Sequence, residues 1–151
     1  MIITFVGHRL LYGCDLYEKI KTAILENTAP DTWTTFYLGG YGDFDELCAR
    51  VCRTIKDARP CCELAYVSPY LTQTQQTKIK YMLDHHLYDS SVYPPLENVP
   101  LRFAINKRNE WMINQADLVI AYVDHTFGGA YKTLQYAKRK KKRIINLAEQ
   151  T

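Results

Sequence analysis

Five short runs, "IITFVG" (2–7), "TTFYLG" (34–39), "CELAYVS" (62–68), "LVIAYV" (118–123) and "RIINLA" (143–148), constrain this chain more than anything else in it. Each is almost continuously apolar. A strand with one wetted face alternates apolar and polar residues, whereas a run without alternation is buried on both faces. Between the runs lie segments of helical period, at 15–28, 43–57, 72–87, 103–115 and 129–141. Alternating β and α elements of this kind predict an α/β fold, a central and mostly parallel sheet of about five strands with helices on both faces and right-handed crossovers. The segment "YDSSVYPPLENVP" (88–100) breaks the alternation. Its three prolines and serine pair predict a long irregular loop, of the kind that serves as a ligand lid or an interface arm.

A chain of 151 residues can bury one sizeable core, so one domain over 1–151 is expected. Hydrophobic residues at 47% and charged residues at 23% exclude a disordered or fibrous protein. The twelve tyrosines have two readings, half-buried core or ligand- and partner-facing rings. "MIITFVGHR" lacks the basic start and cleavage site of a signal peptide, and no apolar run approaches a membrane span. A cytoplasmic protein without a membrane partner is expected. Cys14, Cys48, Cys52, Cys61 and Cys62 are odd in number and lack zinc-site spacing, so all five read as reduced thiols, with Cys48 and Cys52 facing the core. No metal and no cofactor are expected. The formal charge of +3 owes much to "KRKKKR" (138–143). That run fits nucleic acid, or a solvated last helical turn whose cations complement the dipole; the second reading is preferred.

In an open parallel sheet, ligands sit beyond the carboxyl ends of the strands, where glycine turns and helix N-termini meet phosphate. Three strand ends are prepared for this: Gly7-His8-Arg9, Gly39-Gly40-Tyr41-Gly42, and "DHTF" leading to Gly128-Gly129. The alternative is that the glycines only make tight turns. After the second end, Cys48, Val51, Cys52 and Ile55 form an apolar stripe, with Asp45 three residues before Cys48 on the same side. Asp45 therefore points inward, to accept from a ribose hydroxyl or to cap its helix. Glu46 aligns with Arg50, Arg53 and Asp57 on the polar face.

Arg108 is the remaining oddity, because Ala104, Ile105, Trp111 and Met112 place it along an apolar stripe. A guanidinium there needs a partner, either Asp45 or a ligand anion.

The segments "TFVGHR", "LGGYGDFDELC", "PPLENVPLRFAINKRNEWMINQADLVIAYV" and "GGAYKTLQYAKRKKKRIINL" together resemble the SLOG superfamily, which joins Smf/DprA proteins to Lonely-guy-type proteins, and especially its small single-domain bacterial and phage branch related to YpsA. The resemblance implies a Rossmann-like three-layer sandwich with a crevice for nucleotides. Some SLOG domains sense ADP-ribose-type signals in bacterial defence. Lonely-guy enzymes instead hydrolyse nucleoside 5′-monophosphates, with an arginine in "R-K-x-x-M…D" and a glutamate closing "P-G-G-x-G-T-x-x-E". Arg108, Met112 and Asp117 match the first pattern. In "FGGAYKTLQYA" the second fails, since its glutamate falls on Tyr136 beside Gln135. An N-glycosidase needs that carboxylate.

The leading expectation is thus a binding protein for a nucleotide-derived ligand, an ADP-ribose-like or cyclic nucleotide signal that it senses or sequesters. The candidate ligand-binding residues are Gly7, His8, Arg9, Gly39, Gly40, Gly42, Asp45, Tyr70, Arg108, Asn109, Gly128, Gly129 and Thr133. Glycine amides with Arg9 and Arg108 would hold phosphate, Asp45 a ribose hydroxyl, and Tyr70 or Trp111 a base. His8 either donates to phosphate or caps its turn. The rival is a phosphoribohydrolase with Arg108 and Asp45 as catalytic candidates; a third reading is single-stranded nucleic-acid binding through the basic run. A homo-oligomer is expected from the tyrosines and the 88–100 loop.

Overall fold

The apolar runs become strands because helices cover both of their faces. The computed structural model describes residues 1–9, 11 and 15–149, with the Cys14 thiol lying outside them. In chain order the elements are β1 (Ile2–Gly7), α1 (Tyr17–Glu26), β2 (Thr34–Leu38), α2 (Asp43–Ala58), β3 (Cys62–Val67), α3 (Gln73–Asp84), β4 (Ser90–Val92), α4 (Ala104–Gln115), β5 (Leu118–Tyr122), α5 (Gly128–Arg139) and β6 (Arg143–Asn146). Short 3-10 turns at Leu101–Phe103 and Leu147–Glu149 complete them. The sheet runs β4-β3-β2-β1-β5-β6, and every pairing is parallel.

Side chains alternate across the sheet. Ile3, Phe5, Phe36, Leu38, Leu64, Leu118 and Ile120 join Ile20, Ile24, Phe44, Val51 and Ile55 of α1 and α2 in one core. Val6, Val119 and Ala121 meet Ile113, Leu134 and Ala137 of α4 and α5 in the other. Cys48 and Cys52 are fully buried, as their spacing predicts, and burial pushes both thiols well above the ordinary range. The four described cysteines are free thiols.

The expected fold class holds, and two finer expectations need correction. Among the described residues the sheet gains a sixth strand, because the supposedly irregular segment contributes β4. Its serine pair, Ser90 and Ser91, sits against Ala65 and Tyr66. The outer edge of β3 would otherwise leave buried backbone groups unpaired, and the prolines begin only after Val92, so nothing prevents the pairing. Asp89 seeds it by accepting from the Leu64 N–H at 2.8 Å. The basic run is likewise divided: Lys138 and Arg139 fill the last turn of α5, as expected, and the rest lies beyond it. Helix α5 stops at Arg139, Lys141 takes φ 58°, and the chain reaches β6 within three residues. Lys142 turns inward, its Nζ donating at 3.1 Å to the carbonyls of Asn114 and Ala116. It thereby satisfies acceptors at the carboxyl end of α4.

The strand order fixes where a ligand can sit. From β1 the chain moves outward through β2, β3 and β4, then returns to place β5 and β6 on the other side. The carboxyl ends of β1 and β5, with Gly7 level with Tyr122, therefore mark the switch point of the sheet.

Candidate functional site

A cleft of about 130 Å³ opens at this switch point. Thr4 to Gly7 of β1 form its floor, with Arg9, Tyr41 and Asp45 on one side. Ile105, Asn106, Arg108, Asn109, Met112 and Ile113 of α4, and Gly129, Ala130 and Thr133 of α5, form the other. An adjoining hollow of about 170 Å³ is lined by Gly39, Gly40, Tyr66, Tyr70, Gln75 and Lys78. The two share Tyr41, Ile105 and Arg108.

Arg108 organises the site. Only 2% exposed, it donates from Nη1 to the carbonyls of Val67 (2.8 Å) and Gly39 (3.1 Å) and from Nε to Asn109 Oδ1 (2.9 Å). Among the described residues Nη2 makes no protein hydrogen bond. Burial pulls the guanidinium's pKa down, and the Asp45 charge pushes it back up.

Asp45 lies half-buried across the same cleft. Its Oδ2 accepts from the Tyr41 N–H at 3.2 Å. Desolvation pushes its carboxyl up from 3.8 to about 6, against the opposing pull of that hydrogen bond and of Arg108. No ion pair joins Asp45 and Arg108 among the described residues, so two opposite charges face one cavity without touching. Glu46 is exposed, as the periodicity of α2 predicts.

The glycines divide by role. A Cβ on Gly7 would lie 2.1 Å from Phe44, and one on Gly39 would lie 3.0 Å from Arg108 Cζ. These two are small so that protein can approach protein, while Gly39 also lines the adjoining hollow. Gly40 and Gly42 adopt φ 62° and 97°, left-handed values that favour glycine. Gly42 lines a third hollow, outside the cleft. Around Gly128 and Gly129, by contrast, an added Cβ meets no described residue within 4 Å. Gly128 begins α5 at φ 89°, and its N-cap residue Phe127 gives no side-chain cap, so among the described residues the first N–H groups of α5 are left open.

Other candidates are dispersed. Thr133 lines the cleft while its Oγ1 donates to the Gly129 carbonyl at 3.0 Å. Tyr70 lines the adjoining hollow, and Trp111 packs on Tyr37 with ring centroids 5.4 Å apart, outside the cleft lining. His8 points to Asp124, not into the cleft. Asp117, matched to the enzyme pattern, accepts from the Ile2 N–H at 2.7 Å at the opposite end of the sheet. Tyr136 donates to Asn114 Oδ1 at 3.0 Å, away from the cleft.

Sequence reasoning missed Tyr41, whose exposed ring carries the Arg9 guanidinium 4.4 Å above it. Its place between glycines at a strand end was the available signal. The His8, Asp124 and His125 cluster was missed as well. Its residues were visible at two strand ends, but only the β1–β5 pairing brings them together.

No family model matches the sequence, and no curated protein does. Among solved structures, the chain is similar to DNA processing protein A (DprA) from Streptococcus pneumoniae, at TM-score 0.62 and 14% identity over 94% of this chain and 48% of that one. It is also similar to DprA from Helicobacter pylori, described for its single-stranded DNA binding mode, at TM-score 0.60 and 15% identity over 95% and 63%. A structural-genomics target, TM1055, matches at TM-score 0.55 and 14% identity over 95% and 71%. The chain thus spans about half the length of the S. pneumoniae protein. These likenesses bear out the Rossmann-like fold and, at such identities, the fold alone.

Proposed function

We propose that this chain, built on the SLOG-type fold, binds a nucleotide-derived ligand of the ADP-ribose or cyclic-nucleotide kind in the cleft between β1 and β5. The observation that carries the reading is the unbridged pair of Arg108 and Asp45 facing one cavity at the topological switch point. Nη2 of Arg108 and the open N–H groups of α5 suit a phosphate. Asp45, mostly ionised at neutral pH, suits a ribose hydroxyl. The Tyr41 ring with Arg9 above it suits a base. The cleft and the adjoining hollow together reach roughly 300 Å³, the lower end of the volumes that small-molecule sites occupy.

The test is calorimetric titration with ADP-ribose and AMP, beside mass spectrometry of small molecules released by denaturing the purified protein. Saturable binding is expected, and Gly129→Asp should weaken it at least tenfold by placing a carboxylate where phosphate sits. No nucleotide in either measurement, or equal affinity in Gly129→Asp, would defeat the reading.

One observation favours a second reading, nucleotide N-glycosidase. A carboxyl near 6 beside a buried arginine is the kind of perturbed group that acid–base chemistry uses. Release of free base from AMP, lost in Asp45→Asn, would decide for it.

A further inference from the structure

Beyond the cleft, the ends of β1 and β5 bring three ligating side chains together. Gly7 is level with Tyr122, so His8 leaves β1 beside the residues that follow β5. Asp124 Oδ1 lies 3.0 Å from His8 Nε2 and 2.8 Å from His125 Nδ1. The two imidazoles stack with centroids 3.8 Å apart and planes within 10°, and Phe127 backs His125 at 4.1 Å. All three ligand atoms lie within 4.8 Å of one another. From this geometry we propose that His8, Asp124 and His125 form a binding site for a divalent cation of the zinc class.

The chemistry suits that class. Donors around one zinc ion, bonded at about 2.0–2.2 Å, stand roughly 3–3.5 Å apart. Two of the contacts here have about that spacing; the third, within 4.8 Å, would shorten as the stacked rings turn to aim each nitrogen at the ion. Imidazole selects zinc and its first-row neighbours, while magnesium keeps to oxygen. The Asp124 N–H donates to His8 Nε2 at 3.1 Å, so that nitrogen carries no proton, and an ion would take the lone pair in exchange for this hydrogen bond. Asp124 is 51% exposed, which leaves coordination positions open to water or to a ligand oxygen. Gly7 and Arg9, on either side of His8, line the cleft, so the ion would stand at its border. The site does not depend on the nucleotide reading.

Chelator-treated protein titrated with ZnCl2 alone tests it, so that failure of nucleotide binding leaves the result untouched. One equivalent is expected. Affinity should fall at least tenfold in His125→Ala and in Asp124→Asn, both on an exposed turn whose loss spares the core, and stay unchanged in Cys61→Ser and with MgCl2 present. CoCl2 should give visible bands without the intense near-ultraviolet absorption of thiolate ligation. Absence of saturable zinc binding, undiminished binding in folded His125→Ala, or a thiolate band would each overturn the proposal.

Discussion

Replacing Asp45 with asparagine should stabilise the protein at neutral pH and leave it unchanged in acid. The carboxyl titrates at about 6 in the folded chain against 3.8 when exposed. Below the lower value both states are protonated, and burial of the acid carries no ionic penalty. Between the two, the native state keeps a proton that the unfolded state has released, so stability falls as pH rises from about 4 to about 6 and then levels off. The full shift corresponds to about 3 kcal/mol, at 1.36 kcal/mol per pH unit. Water reaching the open cleft screens part of this, which leaves about 1–3 kcal/mol. Asparagine mimics the protonated acid and retains an oxygen for the Tyr41 N–H. The variant should therefore melt higher at pH 7.5, by roughly 2–4 °C per kcal/mol for a chain of this size, and coincide with the parent near pH 4. Thermal melts from pH 4 to pH 8 provide the assay. A variant less stable than the parent at pH 7.5, or a gap independent of pH, would refute the reasoning.

Gly39→Ala should cost about 1–3 kcal/mol in a denaturant melt, because its Cβ would drive the Arg108 guanidinium off the Gly39 and Val67 carbonyls. Gly129→Ala should leave stability unchanged or raise it by up to about 1 kcal/mol, since it adds a helix former to open space. A large loss there would show that the α5 entrance is packed rather than open. Lys142→Met should lose about 1–2 kcal/mol by orphaning acceptors at the end of α4, whereas Lys140→Gln with Lys141→Gln should be neutral in the same melt. The Lys140/Lys141 pair also tests the nucleic-acid reading: single-stranded DNA affinity with a salt slope flattened in that variant would favour it over a nucleotide ligand.

The architecture was legible because both sheet faces are covered, and continuous apolar runs cannot be placed any other way. Strand β4 was not, since two serines carry no apolar signal and only the unpaired edge of β3 gives them a reason to extend. The orientation of Asp45 followed from helical period alone. What period could not supply was the partner of Arg108. The sequence offered a carboxylate or an anion, and the structure spends Nη1 on two carbonyls at the ends of β2 and β3. Gly39 was ambiguous for the same reason: a glycine at a strand end looks alike whether its missing Cβ admits phosphate or a guanidinium. Tyrosine counts, too, could not separate Tyr41, exposed at the cleft, from Tyr66 and Tyr88, buried edge to face at 5.5 Å.

The choice between holding and cleaving a nucleotide turns on carboxylates. Glycoside hydrolysis commonly divides its work between two, one to protonate or to activate water and one to stabilise the cationic sugar. Asp45 is the only carboxylate among the described residues lining the cleft. Tyr136 stands where the resembling enzymes keep their glutamate, but its hydroxyl is committed to Asn114 and its ring carries Arg139 and Lys140 at 5.7 and 5.4 Å. Asp117 serves the far end of the sheet. A lone acid facing a buried arginine can orient a ribose and balance a phosphate site, yet it has no second group with which to divide acid and base roles. Binding is therefore the reading that the cleft's chemistry favours. Incubation with AMP makes the difference measurable, because a one-carboxylate site should leave the glycosidic bond intact over many hours at saturating nucleotide, and base release that rises and falls with the protonation of Asp45 would reverse the assignment.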